Sequence, residues 1–173
     1  MTDGRTTLRT IVQGSTVDLF HSCDIAVGPI ERYVPQLDAV PYHDLSASIG
    51  FTGRGFTGTL TLGMPPEVFS LAKQDNGRGY DMRDWVREIT NQLCGRIKSR
   101  LLQFQITLKV GLPATLTREA FERHKGRGPF FGAYFFRTLR GEVVVTLGGE
   151  IRNDVFVYSG VTESASEGDI IIF

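Results

Sequence analysis

Hydrophobic residues recur at helical spacing in two long stretches of this chain. In residues 6–27 the spacing predicts one long helix or two short ones, with Gly14 as a weak point and Gly28-Pro29 as the end. The second stretch begins at Asp81 or Met82 and runs to about residue 103. Its apolar stripe repeats every fourth residue and comprises Trp85, Ile89, Leu93, Ile97 and Leu101. This pattern predicts a second long helix with one buried side.

The sequence predicts two hairpins, the first of them from alternating hydrophobic and polar residues. Residues 44–51 and 56–63 alternate on either side of the turn 52–55, and residues 130–139 and 142–151 flank Arg140-Gly141. Further short strands are predicted at 106–112 and 154–158.

The connections between these elements are rich in proline, glycine or polar residues. Residues 30–43 contain two prolines and follow Pro29, so they are interpreted as a linker along the surface. Residues 65–72 predict a short helix, and residues 74–80 a polar loop. Residues 113–129 predict a long connection with one helical turn near Glu119.

The order of elements predicts an α+β fold. Helix–strand–strand occurs twice, which favours two pseudo-twofold halves that share one antiparallel β-sheet with both long helices on a single face. The chain of 173 residues fits a single domain, 1–173, with a core at 8–150. Residues 151–173 form a C-terminal extension whose role the sequence does not indicate.

Composition removes several classes of function. The formal net charge is zero, which argues against nucleic acid as the main partner. No apolar run approaches the roughly 20 residues that cross a membrane, and the N-terminus lacks a secretory signal, so we expect a cytoplasmic protein. Cys23 and Cys94 lie in no metal-binding or redox spacing and are expected to be reduced.

No familiar catalytic motif is present. The three histidines are scattered and no HExxH occurs, so no metal site is expected in this chain. There is no GxSxG elbow and no P-loop. Three Gly-Arg-Gly triplets, at 53–55, 77–79 and 126–128, fit either RNA binding or three exposed turns, and the zero net charge favours turns.

Glu88 and Asn91 are the remaining candidates for chemistry. Three residues apart on a helix, their side chains lie on one face and can act on one object. Gly95, one turn beyond Asn91, lowers helix propensity by about 1 kcal/mol and needs an explanation. The spacing alone favours a simpler explanation, in which Glu88 is an exposed helix carboxylate and Asn91 a tolerated polar residue, because Glu-x-x-Asn is common by chance.

The segment from Trp85 to Lys98 resembles the signature helix of the CheC/CheX chemotaxis phosphatases. Its pattern of Glu-x-x-Asn, then Gly, then Lys is matched by Glu88, Asn91, Gly95 and Lys98. The strand at 58–63 before Met64-Pro65 and the Gly111-Leu112-Pro113 segment also fit, and the resemblance covers about residues 8–150. The first helix lacks a second Glu-x-x-Asn, so the chain resembles CheX, with one site, more than CheC.

This resemblance implies a phosphatase that acts on the phosphoaspartate of a CheY-like receiver domain. It implies that Glu88 and Asn91 are the catalytic residues: Asn91 orients the attacking water, and Glu88 pairs with the receiver's lysine. No cofactor is expected on this chain, because Mg²⁺ would be held by the receiver. The resemblance also implies a homodimer joined through sheet edges. The alternative is a non-catalytic signalling domain of the same fold that binds a receiver or another partner.

Overall fold

The computed structural model describes residues 4–72, 81–124 and 129–156. The helices are α1 (Gly4–Ser22), α2 (Met82–Leu101) and α3 (Arg118–His124). The strands are β1 (Ile30–Val34), β2 (Leu45–Gly53), β3 (Phe56–Met64), β4 (Leu108–Val110), β5 (Ala114–Thr115), β6 (Phe130–Thr138) and β7 (Gly141–Ile151). Short 3-10 turns lie at Leu37–Ala39, Pro66–Leu71, Leu102–Phe104 and Asn153–Val155.

The strands form one sheet in the order β1-β6-β7-β3-β2-β4, with β5 also paired to β2. All of these pairs are antiparallel. The order is symmetric about the β3–β7 pair: the hairpin β2–β3 of the first half is matched by β6–β7 of the second. The edge strand of each half pairs with the hairpin of the other, since β1 joins β6 and β4 joins β2. The predicted pseudo-twofold arrangement is therefore present.

The main core lies between the sheet and the two long helices. Alternate residues of β2, such as Ala47 and Ile49, enter this core together with Leu60 of β3 and Phe136 of β6. The helices contribute their apolar stripes, for example Leu8 and Leu93. Period-two burial in the strands and period-four burial in the helices thus meet in one layer.

A smaller core covers part of the opposite face of the sheet. It contains Val40, Phe121, Ala133, Phe135 and Val144, with Tyr42 stacked against Phe121 at a ring distance of 5.6 Å. The segment after β1 and the helix α3 provide this cover, which explains why β6 is buried on both sides.

His43 lies beside this smaller core, and burial disfavours the protonated form of its imidazole. His43 lines a small cavity beside Phe121 and Val144, and its Nε2 has no hydrogen-bond partner among the described residues. Burial lowers the pKa of His43 below its usual value of 6.5, against the opposing effect of Glu142 and Asp44.

Acid should therefore destabilise the fold through His43. A lowered pKa means that the unfolded chain binds the proton more readily, so the free energy of unfolding decreases as the pH falls below 6.5. We expect His43→Gln to lose less stability than the wild type between pH about 7.5 and about 5 in urea unfolding. His21→Gln, at an exposed histidine near the end of α1, is the control. Equal losses in all three proteins would contradict this role of His43.

Most predicted elements are confirmed with shifted ends. Both hairpins and both long helices are present, and α2 begins after Asp81 as predicted. The first helix ends at Ser22 rather than near residue 27, and Asp24 then adopts a positive φ of 59°. Residues 65–72 form a 3-10 turn rather than an α-helix.

Two interpretations were wrong. The supposed linker 30–43 contains the strand β1, because Ile30–Val34 completes the sheet beside β6. The supposed strand at 154–158 begins as the 3-10 turn Asn153–Val155, and Phe156 packs at the edges of Phe56 and Phe104. The polar loop 74–80 and residues 157–173 lie outside the described part of the chain.

Candidate functional site

The start of α2 is held by a cap and by an aromatic contact. The carboxylate of Asp81 accepts a hydrogen bond from the backbone N–H of Arg83 at 2.9 Å, which satisfies one free donor of the first turn. The ring of Trp85 packs edge-on against Phe69 with centroids 5.1 Å apart. Since Phe69 belongs to the 3-10 turn after β3, this contact ties the helix to the end of the first hairpin.

One side of α2 is buried and the other is exposed. The buried residues are Val86, Ile89, Thr90, Leu93, Cys94, Ile97 and Leu101. Glu88 and Asn91 are both exposed and lie one helical turn apart. The structure thus places the two predicted site residues together on the solvent face of a helix whose opposite face is anchored in the core.

Hydrogen bonds among the exposed residues distinguish Asn91 from its neighbours. Arg87 forms an ion pair with Asp84 one turn earlier. Gln92 donates from Nε2 to Oε1 of Glu88 at 2.8 Å. The side chain of Asn91 makes no hydrogen bond to any residue that the structure describes. Its carboxamide is therefore free to donate to one group and accept from another.

The glycines of the two long helices have different surroundings. A Cβ atom added at Gly95 would meet nothing within 4 Å, whereas one added at Gly14 would collide with the guanidinium of Arg100. The end of the Arg100 side chain can shift to make room at Gly14, and nothing within the described chain requires a glycine at position 95. Counted back from these glycines, α1 has Thr7 and Thr10 where α2 has Glu88 and Asn91. An acidic and an amide residue stand seven and four positions before the glycine in α2, but not in α1.

The C-terminal half of α2 is tied to α1. Arg100 pairs with Asp18, and Arg96 donates to the hydroxyl of Ser22 at 3.4 Å. Cys94, the buried neighbour of this region, has its pKa raised to about 11 by burial, with Lys98 acting in the opposite direction. Its thiol is protonated at neutral pH and is unsuited to act as a nucleophile.

The exposed face of α2 carries two polar side chains with different hydrogen-bonding capacity. It offers one carboxylate, which accepts, and one carboxamide, which donates and accepts. In the part of the chain that the structure describes, no three His, Cys, Asp or Glu side chains are grouped closely enough to hold a metal ion.

Comparison with known proteins identifies the family. Residues 45–135, more than half of the chain, match the sequence model described as "Chemotaxis phosphatase CheX". This match begins with β2, contains all of α2 and ends within β6. The chain belongs to the CheX family, as its signature helix predicted.

Solved structures of chemotaxis proteins have the same fold. The chemotaxis protein CheX from Vibrio vulnificus is 18% identical, with 82% of this chain and 98% of that chain covered at a TM-score of 0.65. A chemotactic CheC-like protein from Shewanella oneidensis is 18% identical, with 84% and 97% covered at 0.58. The CheX of a CheX–CheY–BeF3–Mg²⁺ complex from Borrelia burgdorferi is 12% identical, with 80% and 95% covered at 0.55. A search of curated proteins finds no match.

The structure also bears on the Gly-Arg-Gly triplets, on membrane-spanning helices and on the partner of Glu88. The Gly-Arg-Gly triplet at 53–55 forms the turn between β2 and β3, while the triplets at 77–79 and 126–128 lie outside the described residues. Among the helices that the structure describes, none is long and apolar enough to span a bilayer. The bond from Gln92 to Glu88 was not anticipated, although the four-residue spacing on a helix allowed it.

Proposed function

We propose that this protein hydrolyses the phosphoaspartate of a CheY-like receiver domain, with Glu88 and Asn91 as its catalytic residues. The observation that carries the proposal is the exposure of both side chains on one uncovered face of α2. Membership of a family described as chemotaxis phosphatases supports the activity. A relative solved together with CheY and BeF3 supports the partner.

Asn91 is proposed to orient the attacking water. Hydrolysis of an acyl phosphate needs a water in line with the scissile P–O bond, and positioning supplies much of the rate. The carboxamide oxygen of Asn91 can accept a hydrogen bond from this water, while its NH2 group donates one to a phosphoryl oxygen. A strong base is unnecessary because the aspartate carboxylate is a good leaving group.

Glu88 is proposed to dock the receiver. Its carboxylate only accepts hydrogen bonds, so a cation such as the receiver's active-site lysine is the matching group. An ion pair one helical turn from Asn91 would set the position of the carboxamide relative to the phosphoryl group. The receiver, on this proposal, also holds the Mg²⁺ that offsets the phosphoryl charge.

Removing Glu88 should weaken docking more than chemistry. We expect Glu88→Ala to lower the affinity for a beryllium fluoride-activated receiver by about tenfold, because a charge-assisted bond is lost. Titration calorimetry measures this change, and Glu67→Ala, at an exposed glutamate outside α2, serves as the control. Unchanged affinity of the Glu88→Ala protein would contradict the assigned role.

Gly95 is proposed to keep the docking face clear for the partner. Since a methyl group at position 95 meets nothing in this chain, Gly95→Ala should raise the free energy of unfolding by about 1 kcal/mol through helix propensity. The same substitution should weaken receiver binding. Denaturant unfolding and calorimetry on one preparation measure both quantities. A variant that is stabilised but binds the receiver as tightly as the wild type would show that the glycine serves no partner.

The second candidate is a signalling domain that binds a receiver without hydrolysing its phosphate. The bond from Gln92 to Glu88 fits either candidate, since both dock a receiver through Glu88. The two candidates differ in one result: only the phosphatase accelerates the release of phosphate from a phosphorylated receiver.

Dimerisation and cellular location follow as parts of the same proposal. Strands β1 and β4 end the sheet, and each offers unpaired backbone groups to a second copy of the chain. A homodimer through these sheet edges, acting on a receiver in the cytoplasm, fits this arrangement.

A further inference from the structure

Glu88 has a neutral side chain as its partner, whereas many surface carboxylates of this protein pair with arginine. Six carboxylates in the described part of the chain form ion pairs with arginine: Glu31, Asp18, Asp44, Asp84, Glu142 and Asp154. Glu88 instead accepts a hydrogen bond from the neutral amide of Gln92, at 2.8 Å. The candidate docking carboxylate is therefore not engaged by any of the arginines in these ion pairs.

A neutral hydrogen-bond donor orients a carboxylate without neutralising its charge, as an arginine would. An amide N–H restrains the carboxylate to one orientation and leaves its full negative charge for another cation. An arginine or lysine four residues after Glu88 would form the common helical ion pair and compete with an incoming lysine. The second oxygen of Glu88 has no hydrogen-bond partner in the described chain, so it is available to that lysine.

The arginine next to Glu88 in sequence does not pair with it. Arg87, the cation next to Glu88 in sequence, is paired with Asp84 rather than with the candidate site. Arg96 and Arg100, further along α2, contact Ser22 and Asp18 of α1. The arginine next to Glu88 in sequence is therefore engaged with Asp84, and Glu88 has an amide as its partner.

We propose that Gln92 is a positioning residue that orients Glu88 for a cation of the docking partner. This inference rests on the proposed function, in which Glu88 pairs with the receiver's lysine. It assigns to Gln92 a contribution to affinity for the receiver and none to the chemical step.

Two substitutions of Gln92 separate orientation from charge. Gln92→Met keeps the length of the side chain and removes the donor, so KM for the phosphorylated receiver should rise about two- to threefold with kcat little changed. Gln92→Lys adds a competing cation, and KM should rise further, by about tenfold. Gln36→Met is the matched control, because Gln36 is exposed beside the 3-10 turn on the opposite face of the sheet.

A double-mutant cycle tests whether Gln92 acts through Glu88. In a Glu88→Ala background, Gln92→Met should have no further effect on KM. An equal effect of Gln92→Met with and without Glu88 would overturn the proposal, as would a Gln92→Met protein with the KM of the wild type.

A measurement on the isolated chain separates this inference from the proposed function. Side-chain scalar couplings from NMR should show one dominant rotamer of Glu88 in the wild type and rotamer averaging in Gln92→Met. Averaging in both proteins would overturn the positioning role even if the wild type is an active phosphatase. A restrained Glu88 in a chain that neither binds nor dephosphorylates a receiver would overturn the proposed function, and the docking role of Gln92 with it.

Discussion

Asn91→Ala is expected to abolish stimulated dephosphorylation of the receiver while the protein remains folded. Asn91 is exposed and bonds to no described residue, so its truncation removes no contact that stabilises α2. The in-line water would lose its orienting group, and the stimulated rate should fall by at least about 100-fold. Release of phosphate from a phosphorylated receiver measures the rate, and the urea midpoint of the variant should equal or slightly exceed that of the wild type, because Ala favours a helix more than Asn does.

The control for this substitution lies on α1. Thr10 stands four residues before Gly14, as Asn91 stands four before Gly95, and its hydroxyl donates only to the backbone carbonyl of Thr6. Thr10→Ala should leave the stimulated rate unchanged. Full stimulation by the Asn91→Ala protein would contradict the proposed mechanism, and a lowered urea midpoint would reveal a structural role for Asn91.

Gly149→Ala is expected to destabilise the fold by about 3 kcal/mol or more. Gly149 pairs with Gly58 at the junction of β3 and β7, where the two halves of the sheet meet. Its φ is +123°, a conformation that residues with a Cβ rarely adopt. A Cβ atom here would also collide with the backbone of Thr57 and Gly58, which cannot move aside as a side chain can.

The adjacent glycine provides a matched control. At Gly148 an added Cβ would lie 3.8 Å from the nearest atom, the carbonyl oxygen of Pro129, which is an ordinary contact. Gly148→Ala should therefore change the free energy of unfolding by less than about 1 kcal/mol. Urea unfolding compares the two variants. Similar stabilities would show that the junction yields easily and that the sheet does not depend on close approach at Gly149.

The periodicity of hydrophobic residues predicted the helices and strands that bury mainly one face. The four-residue stripe of α2 and the alternation in the first hairpin each reflect mainly one buried face, so the sequence pattern and the structure agree. The symmetric order of the sheet followed from helix–strand–strand occurring twice. The polar positions of α2 then located Glu88 and Asn91 on its exposed side.

The sequence predicted least well those segments whose structure depends on tertiary contacts. β1 is short and is followed by Pro35, so its sequence resembles a linker, and only pairing with β6 makes it a strand. α1 ends before its apolar pattern does, because Ile25 and Val27 enter the core from an extended segment. The partner of Glu88 depends on the rotamer of Gln92, which spacing permits but does not determine.

The central claim is that this chain accelerates the loss of phosphate from a receiver domain. The most direct measurement follows inorganic phosphate released by a phosphorylated CheY-like receiver with Mg²⁺, as increasing amounts of the chain are added. The account predicts a rate that rises with the concentration of the chain and saturates as the receiver is bound. A receiver that binds the chain but loses phosphate at its unassisted rate would contradict it.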